Sequence, residues 1–448
     1  MKHLSSLILV SLLLLPCMFS CCNCKTNKGP KLEQVTIISR HGVRVPLAKY
    51  NKDLDSVLSV NYHWPQWPVE GGHLSLRGSV LEYMAGEYFR EYFKENGLRL
   101  TPNNAYFSAS PKQRTVETSH AFAAGLFPRQ KVDVKYLGPQ DFSTTYYDPE
   151  FLPLLNGDIS FGGFDTLRFQ QEANREMLNI INAIDISEDL LFLEGKIGLE
   201  SSKFAASSHK KHLDPCLTDY SLRFVEKTEN GEKKLEPAFN ANSDFNLANR
   251  ASDALILQYY EQDDWAIANA ANPKLRALSF DDWKRLARIK DVYGIVLFTA
   301  PIVAVNVSHA MLGNILNQIK VSGRRFNFLC THDSTMDALL TALQAKRDPL
   351  PNSIEERTPI GFKFVIEKWK DKGKYYVHPY LAYYSVTQLR AGNPSEMQGS
   401  PVIVDLEFEG LQQAENGMYY FQDFVNHLNE TFNAFGLTAR GLNPFTGN

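Results

Sequence analysis

Two short apolar runs end in a histidine, and a third ends at the start of a helix carrying an arginine. Val35-Thr36-Ile37-Ile38 leads into Arg40-His41-Gly42-Val43-Arg44-Val45-Pro46. Phe326-Asn327-Phe328-Leu329-Cys330 leads into Thr331-His332-Asp333-Ser334-Thr335. Such runs read as buried strands, and a strand that ends in a turn presents its last side chains at the carboxyl edge of a parallel sheet, where open α/β folds bind ligands. This constrains the chain to an α/β fold with a mostly parallel sheet flanked by helices, and it predicts that His41 and His332 stand at one edge.

The chemistry at the first turn is specific. Two guanidiniums flanking one imidazole grip a phosphoryl group in bidentate fashion, and their charge favours the neutral imidazole that can attack phosphorus. Pro46 stiffens the exit of the turn. A basic turn with a solvated histidine is the plain alternative. Phosphoryl transfer also needs an acid for the leaving oxygen, and His332-Asp333 at the second strand exit, ahead of the apolar helix Met336 to Leu343, is the candidate partner.

The third run, Ala105-Tyr106-Phe107-Ser108-Ala109, precedes Ser110-Pro111-Lys112-Gln113-Arg114-Thr115-Val116-Glu117. Ser110 is a favoured N-cap, Pro111 suits the first helical position, and the apolar spacing continues through Phe122 and Leu126. Arg114 then falls in the first turn, near a positive dipole end suited to an anion.

Taken together, Arg40-His41-Gly42-x-Arg44-x-Pro46, Gln113-Arg114-Thr115 and His332-Asp333 resemble the histidine acid phosphatases, the branch of the histidine phosphatase superfamily that includes phytases. Trp64-Pro65-Gln66-Trp67-Pro68 with Gly71-Gly72, Gln258-Tyr259-Tyr260-Glu261, Glu356-Arg357-Thr358-Pro359-Ile360-Gly361 and Gln388-Leu389-Arg390 resemble bacterial glucose-1-phosphatases more closely. The resemblance covers nearly the whole chain after about residue 33. It implies His41 as the nucleophile that becomes a phosphohistidine and Asp333 as proton donor. Arg40, Arg44, Arg114 and His332 would bind the phosphate, and Glu236 would meet the sugar hydroxyls. It implies no metal and no cofactor, because several preorganised cations serve where charge accumulates. The expected substrate is a small phosphomonoester of the glucose 1-phosphate kind, with a broad acid phosphatase or phytase as one alternative. A surface lipoprotein that binds sugar phosphate without turnover is another, and a mutase a third. His41 and Asp333 together favour the enzyme, since a binding protein needs neither.

The 448 residues are 44% hydrophobic and 22% charged, which suits a large globular enzyme of one or two intimately packed domains. A formal net charge of -3 without a long basic run argues against a nucleic-acid partner. The expected body comprises residues 31–138 and 291–448, with a mainly helical insertion at 139–290 that contains helix-like stretches at Arg168 to Ile184 and Ala248 to Glu261. The charged stretch Glu226 to Lys234 reads as a solvated loop.

At the N-terminus, residues 1–20 have the charge-then-apolar order of a secretory signal. Met18-Phe19-Ser20-Cys21 resembles a bacterial lipobox with Met18 in place of the usual Leu, Val or Ile, so a lipid anchor at Cys21 and plain export are the two readings. Cys17, Cys21, Cys22 and Cys24 crowd this leader, and only Cys216 and Cys330 lie in the body, so export does not rely on a disulfide framework. His209, His212, Asp214 and Cys216 offer metal-ligand types within eight residues, but Lys210 and Lys211 between them repel a cation, and an exposed loop is preferred. His63, Trp64, Trp67 and His73 read either as pocket edge or as packing of a long loop.

Overall fold

The computed structural model describes residues 29–47, 54–62, 67–139, 142, 146–152, 155, 164–217, 221–229, 232–239, 244–262, 273–276, 278–391, 393–397 and 399–446. The signal segment 1–20, Cys21, His63 and Trp64 lie outside the described residues.

One mixed sheet organises the molecule. Its strands are β1 (Lys31–Arg40), β2 (Ala105–Ala109), β3 (Val134–Lys135), β6 (Phe326–Thr331), β7 (Lys363–Asp371), β8 (Lys374–Tyr383), β9 (Val402–Asp405) and β10 (Tyr419–Tyr420), while β4 (Leu222–Glu229) and β5 (Glu232–Phe239) form a separate hairpin. The sheet order is β10-β8-β7-β1-β6-β2-β3, with β9 beside β8. Strands β1, β6, β2 and β3 are parallel, and β7, β8, β9 and β10 extend the sheet antiparallel.

Burial on both faces explains why β1 and β6 read as near-continuous apolar runs. All six residues of β6 are buried, and so are the last seven of β1. Asn327 is tolerated there because its Nδ2 donates to Thr36 Oγ1 at 3.0 Å across the strand pair. Val35, Ile37, Phe326 and Phe328 point into one apolar layer, where Phe122 stacks on Phe328 at 4.4 Å. Ile38 and Leu329 point into the other.

The longer helices are α1 (Leu76–Glu95), α2 (Gln113–Leu126), α3 (Thr166–Asn182), α4 (Ser187–Ile197), α5 (Asp244–Glu261), α6 (Phe280–Phe298), α7 (Pro301–Gln318), α8 (Asp333–Ala342) and α9 (Phe421–Asn433). Helices α1 and α2 cover the first face, and α7, α8 and α9 the second. The α1–α2 pair packs backbone to backbone. A Cβ on Gly86 would sit 2.1 Å from Phe122 O and one on Gly125 would sit 2.0 Å from Tyr83 O, so both positions require glycine.

Two local expectations are corrected. Helix α2 begins at Gln113 with Lys112 in the capping position, so Ser110 is not its N-cap. Ser110 instead continues the β2–β6 ladder through its N–H to Cys330 O at 2.9 Å. Of the stretch Glu226 to Lys234, residues 226–229 lie in β4 and 232–234 in β5 rather than in a loop, with Glu226 facing Leu235 and Lys227 facing Lys234. Helix α6 runs unbroken through residue 291.

Candidate active site

Strand register builds the site. Arg40 pairs with Thr331 in the parallel β1–β6 ladder, so His41 and His332 are each the first residue past the same sheet edge. His41 N donates to Thr331 O at 3.0 Å, and the two imidazoles meet edge to face with centroids 5.6 Å apart. Strand β2 ends beside them, with Ala109 opposite Cys330. Helices α2 and α8 both start at this edge, so two positive helix ends point at one spot.

The loop after β1 is held from below by α1. Ser75 caps α1 by accepting from Gly78 N, and its own N–H donates to Val43 O at 2.9 Å. A Cβ on Gly78 would lie 2.1 Å from Val43 O, so this contact needs glycine. On the far side, Gly361 N donates to His41 O at 3.0 Å, so the loop is fixed by hydrogen bonds on both flanks.

These bonds decide tautomers. His41 Nδ1 lies 2.9 Å from Gly42 O, and a carbonyl only accepts, so Nδ1 carries the proton and Nε2 keeps its lone pair. For His332, Arg114 Nη2 donates to Nδ1 at 3.3 Å, which leaves the proton on Nε2 to donate to Ser110 Oγ at 2.9 Å. Burial first, and then the charges of Arg114, Arg40 and Arg44, hold the His41 imidazole well below its ordinary pKa. Burial and Arg114 do the same to His332. Both rings are neutral bases in the free site.

Of the predicted residues, His41, Arg44, Arg114, His332, Asp333 and Glu236 line one cleft of about 300 Å³. Arg40 lies behind that wall, its side chain 1% exposed, with Nη1 donating to Glu355 Oε1 at 2.8 Å and Nη2 3.1 Å from Asp333 Oδ2. Arg44 Nη2 pairs with buried Asp253 on α5 at 2.9 Å. Trp67, Gly71 and Gly72 do not line the cleft, nor does His73, which sits 3.8 Å from Glu70. His209 lies 3.8 Å from Glu200, Cys216 is exposed, and among the described residues no three His, Cys, Asp or Glu side chains are grouped to hold a metal.

Sequence reasoning missed Lys290, Glu355 and Asp253. Glu355 adjoins the quoted Glu356 to Gly361 segment and was legible by proximity. Lys290 and Asp253 lie within helices, where a charged residue reads as a solvated face. Burial opposes the charge on Glu355, but Arg40 and Lys290 prevail and hold it down at about 2. Burial likewise opposes ionisation of Asp333, and the charges of Arg40, Lys290 and Arg44 outweigh it, holding this carboxyl well below the usual range.

The other quoted segments hold the frame. Tyr260 hydroxyl donates to Glu355 Oε2 at 3.1 Å, Glu261 accepts from Ser75, and Arg390 stacks on the Tyr259 ring while donating to Tyr259 O at 2.9 Å. A neutral nucleophilic nitrogen, three cations (Arg44, Arg114 and Lys290) and the Asp333 carboxyl on one cleft, with Arg40 behind its wall, can displace an alcohol from a phosphomonoester.

Residues 31–381 match the model of the histidine phosphatase superfamily, branch 2. The chain is 30% identical to the glucose-1-phosphatase of Salmonella typhimurium over 417 residues, covering 90% of this chain and 93% of that protein. It is 28% identical to the glucose-1-phosphatase of Providencia rettgeri over 414 residues, covering 88% and 90%. The phytase of Citrobacter braakii superposes with a TM-score of 0.73 at 24% identity, over 90% of this chain and 98% of that one. The chain therefore belongs to branch 2 of the histidine phosphatase superfamily and is a phosphomonoesterase.

Proposed function

We propose that the protein hydrolyses sugar phosphates of the glucose 1-phosphate kind through a phosphohistidine on His41, with Asp333 as proton donor. The observation that carries this reading is the neutral His41, oriented through Nδ1 by Gly42 O, on a cleft wall shared with Asp333 and Glu236. The Nε2 lone pair attacks phosphorus while the bond to the sugar oxygen breaks, and that oxygen takes the proton of Asp333. Water then attacks the phosphohistidine, Asp333 takes its proton, and the P–N bond breaks. Arg40, Arg44, Arg114 and His332, with the N-termini of α2 and α8, stabilise charge on the equatorial oxygens.

Asp333 is held ionised in the free site, so its role as acid depends on the ligand. A phosphate dianion draws on the same cations, weakens their hold on the carboxylate, and raises its proton affinity. Activity that needs this proton falls as pH rises. Glu236 is proposed to accept from a sugar hydroxyl, and its charge repels a polyanion such as phytate. Glucose-1-phosphatases among the relatives support the sugar phosphate, and the phytase fold neighbours keep inositol phosphates as the second reading. We further propose export directed by residues 1–20, with Cys21 as the site of any lipid anchor, and a division into the body 31–138 and 291–448 with the insertion 139–290 over the cleft.

Asp333→Asn tests the mechanism. Hydrolysis of glucose 1-phosphate, with its poor leaving group, should fall about a hundredfold to ten-thousandfold, the usual worth of general acid catalysis. An aryl phosphate with a good leaving group should fall far less. Equal losses on both would remove Asp333 from this role. In the same assay His41→Ala should abolish turnover of both esters.

A further inference from the structure

Lys290 stands outside every motif the sequence offers, yet it occupies a defined corner of the site. Its Nζ lies 2.6 Å from Glu355 Oε1 and 3.4 Å from Asp333 Oδ2. Arg40 meets the same two oxygens, at 2.8 Å and 3.1 Å. The four side chains therefore close a square of alternating charge, Arg40–Glu355–Lys290–Asp333. The other corner-holder of Asp333 is Ser334 N, which donates to Oδ1 at 2.9 Å, so both carboxyl oxygens are fixed.

The two cations are not equivalent. Arg40 comes from β1, with a side chain 1% exposed, and also donates to Thr358 O. Lys290 comes from α6, lines the cleft, and keeps 12% of its side chain exposed. Helix α6 is in contact with α3, α4 and α5 and also with α8, the helix that Asp333 opens. Lys290 is thus the charge by which the helices outside the sheet layer reach the acid. The groups facing Asp333 are Arg40 from β1, His41 and Arg44 from the following loop, and Lys290 from α6, with Glu355 behind the two closest cations.

We propose that Lys290 is a positioning residue for the reaction: through Glu355 and Asp333 it fixes the acid's carboxyl in the cleft and sets the pH above which the acid loses its proton. The inference rests on Asp333 being the proton donor. A cation within about 4–6 Å lowers a carboxyl by about 1–3 pH units, and Arg40 remains when Lys290 is removed. Loss of the lysine charge should therefore raise the proton affinity of Asp333 by about one unit in the enzyme–substrate complex.

The pH dependence of kcat, which reports groups in the complex, reads this directly. It would be measured for wild type, Lys290→Met, Lys290→Arg and Asp333→Asn on glucose 1-phosphate and on p-nitrophenyl phosphate. With glucose 1-phosphate, Lys290→Met should lower kcat and move the alkaline limb up by about one pH unit. The limb for p-nitrophenyl phosphate should stay, and Lys290→Arg should return the first profile toward wild type. An alkaline limb that does not move, or that moves alike on both esters, overturns the proposal. If Lys290→Met fails to fold, Lys290→Gln removes the same charge with a polar side chain and is read in the same way. An unmoved limb beside a leaving-group-selective Asp333→Asn sinks the role of Lys290 alone, whereas an unselective Asp333→Asn sinks the proton-donor reading with it.

Discussion

Asp291, the neighbour of Lys290, shows how burial sets the charge of a single residue. It lines the cleft, accepts from Glu356 N at 2.8 Å, and has its pKa pushed up to about 7 from 3.8, by burial first and by Glu355 and Asp337 against the relief from Lys290. A carboxyl whose folded pKa is raised favours the folded state at low pH. That advantage is lost as pH climbs from the unfolded value of 3.8 toward 7, because only the unfolded chain releases its proton in that window. Asp291→Asn keeps an oxygen for Glu356 N and has no such titration. Its stability relative to wild type should rise between about pH 4 and 7, reaching on the order of a few kcal/mol above neutrality. Urea unfolding at pH 4 and pH 8 measures it, and a difference that is the same at both values would show that Asp291 ionises normally. Arg40 shows the opposite balance: burial acts against its charge, but Glu355 and Asp333 hold its pKa above the ordinary value.

At the scale of elements, the cleft has two makers. The ends of β1 and β6 with the starts of α2 and α8 supply one part of the lining, and β5 with α5 and α6 supply another. Glu236 is the point where the hairpin enters, opposite Val225 on β4. Glu236→Ala should lower kcat/KM for glucose 1-phosphate about ten- to a hundredfold, as expected from losing a charged hydrogen bond of about 1.5–3 kcal/mol. An aryl phosphate should hardly respond, and any turnover of phytate should improve as the repelling charge is removed. A substrate ranking unchanged in the variant would make Glu236 a surface residue and leave a broad acid phosphatase or phytase as the better reading.

For the whole molecule, Cys216 is exposed and Cys330 is buried, where burial pushes its thiol up. Stability rests on the two apolar layers about the sheet. The sequence by itself determined the strand ends, because β1 and β6 are buried on both faces and only continuous apolar runs satisfy that. With them came His41, Arg44, Arg114, His332 and Asp333, since a side chain at a strand exit or helix start is a local property. Local pattern also misled where context ruled: Ser110 serves the β2–β6 ladder and His332 rather than a helix cap, and residues 226–229 pair with 232–235 as strands. Only the tertiary structure decided the rest. The register of β1 on β6 set His41 beside His332, and the packing of α5 and α6 turned Asp253 and Lys290 inward. Their charges are tolerated there because Arg44, Glu355 and Asp333 meet them at 2.9, 2.6 and 3.4 Å, and no local pattern encodes a partner that folding alone brings near.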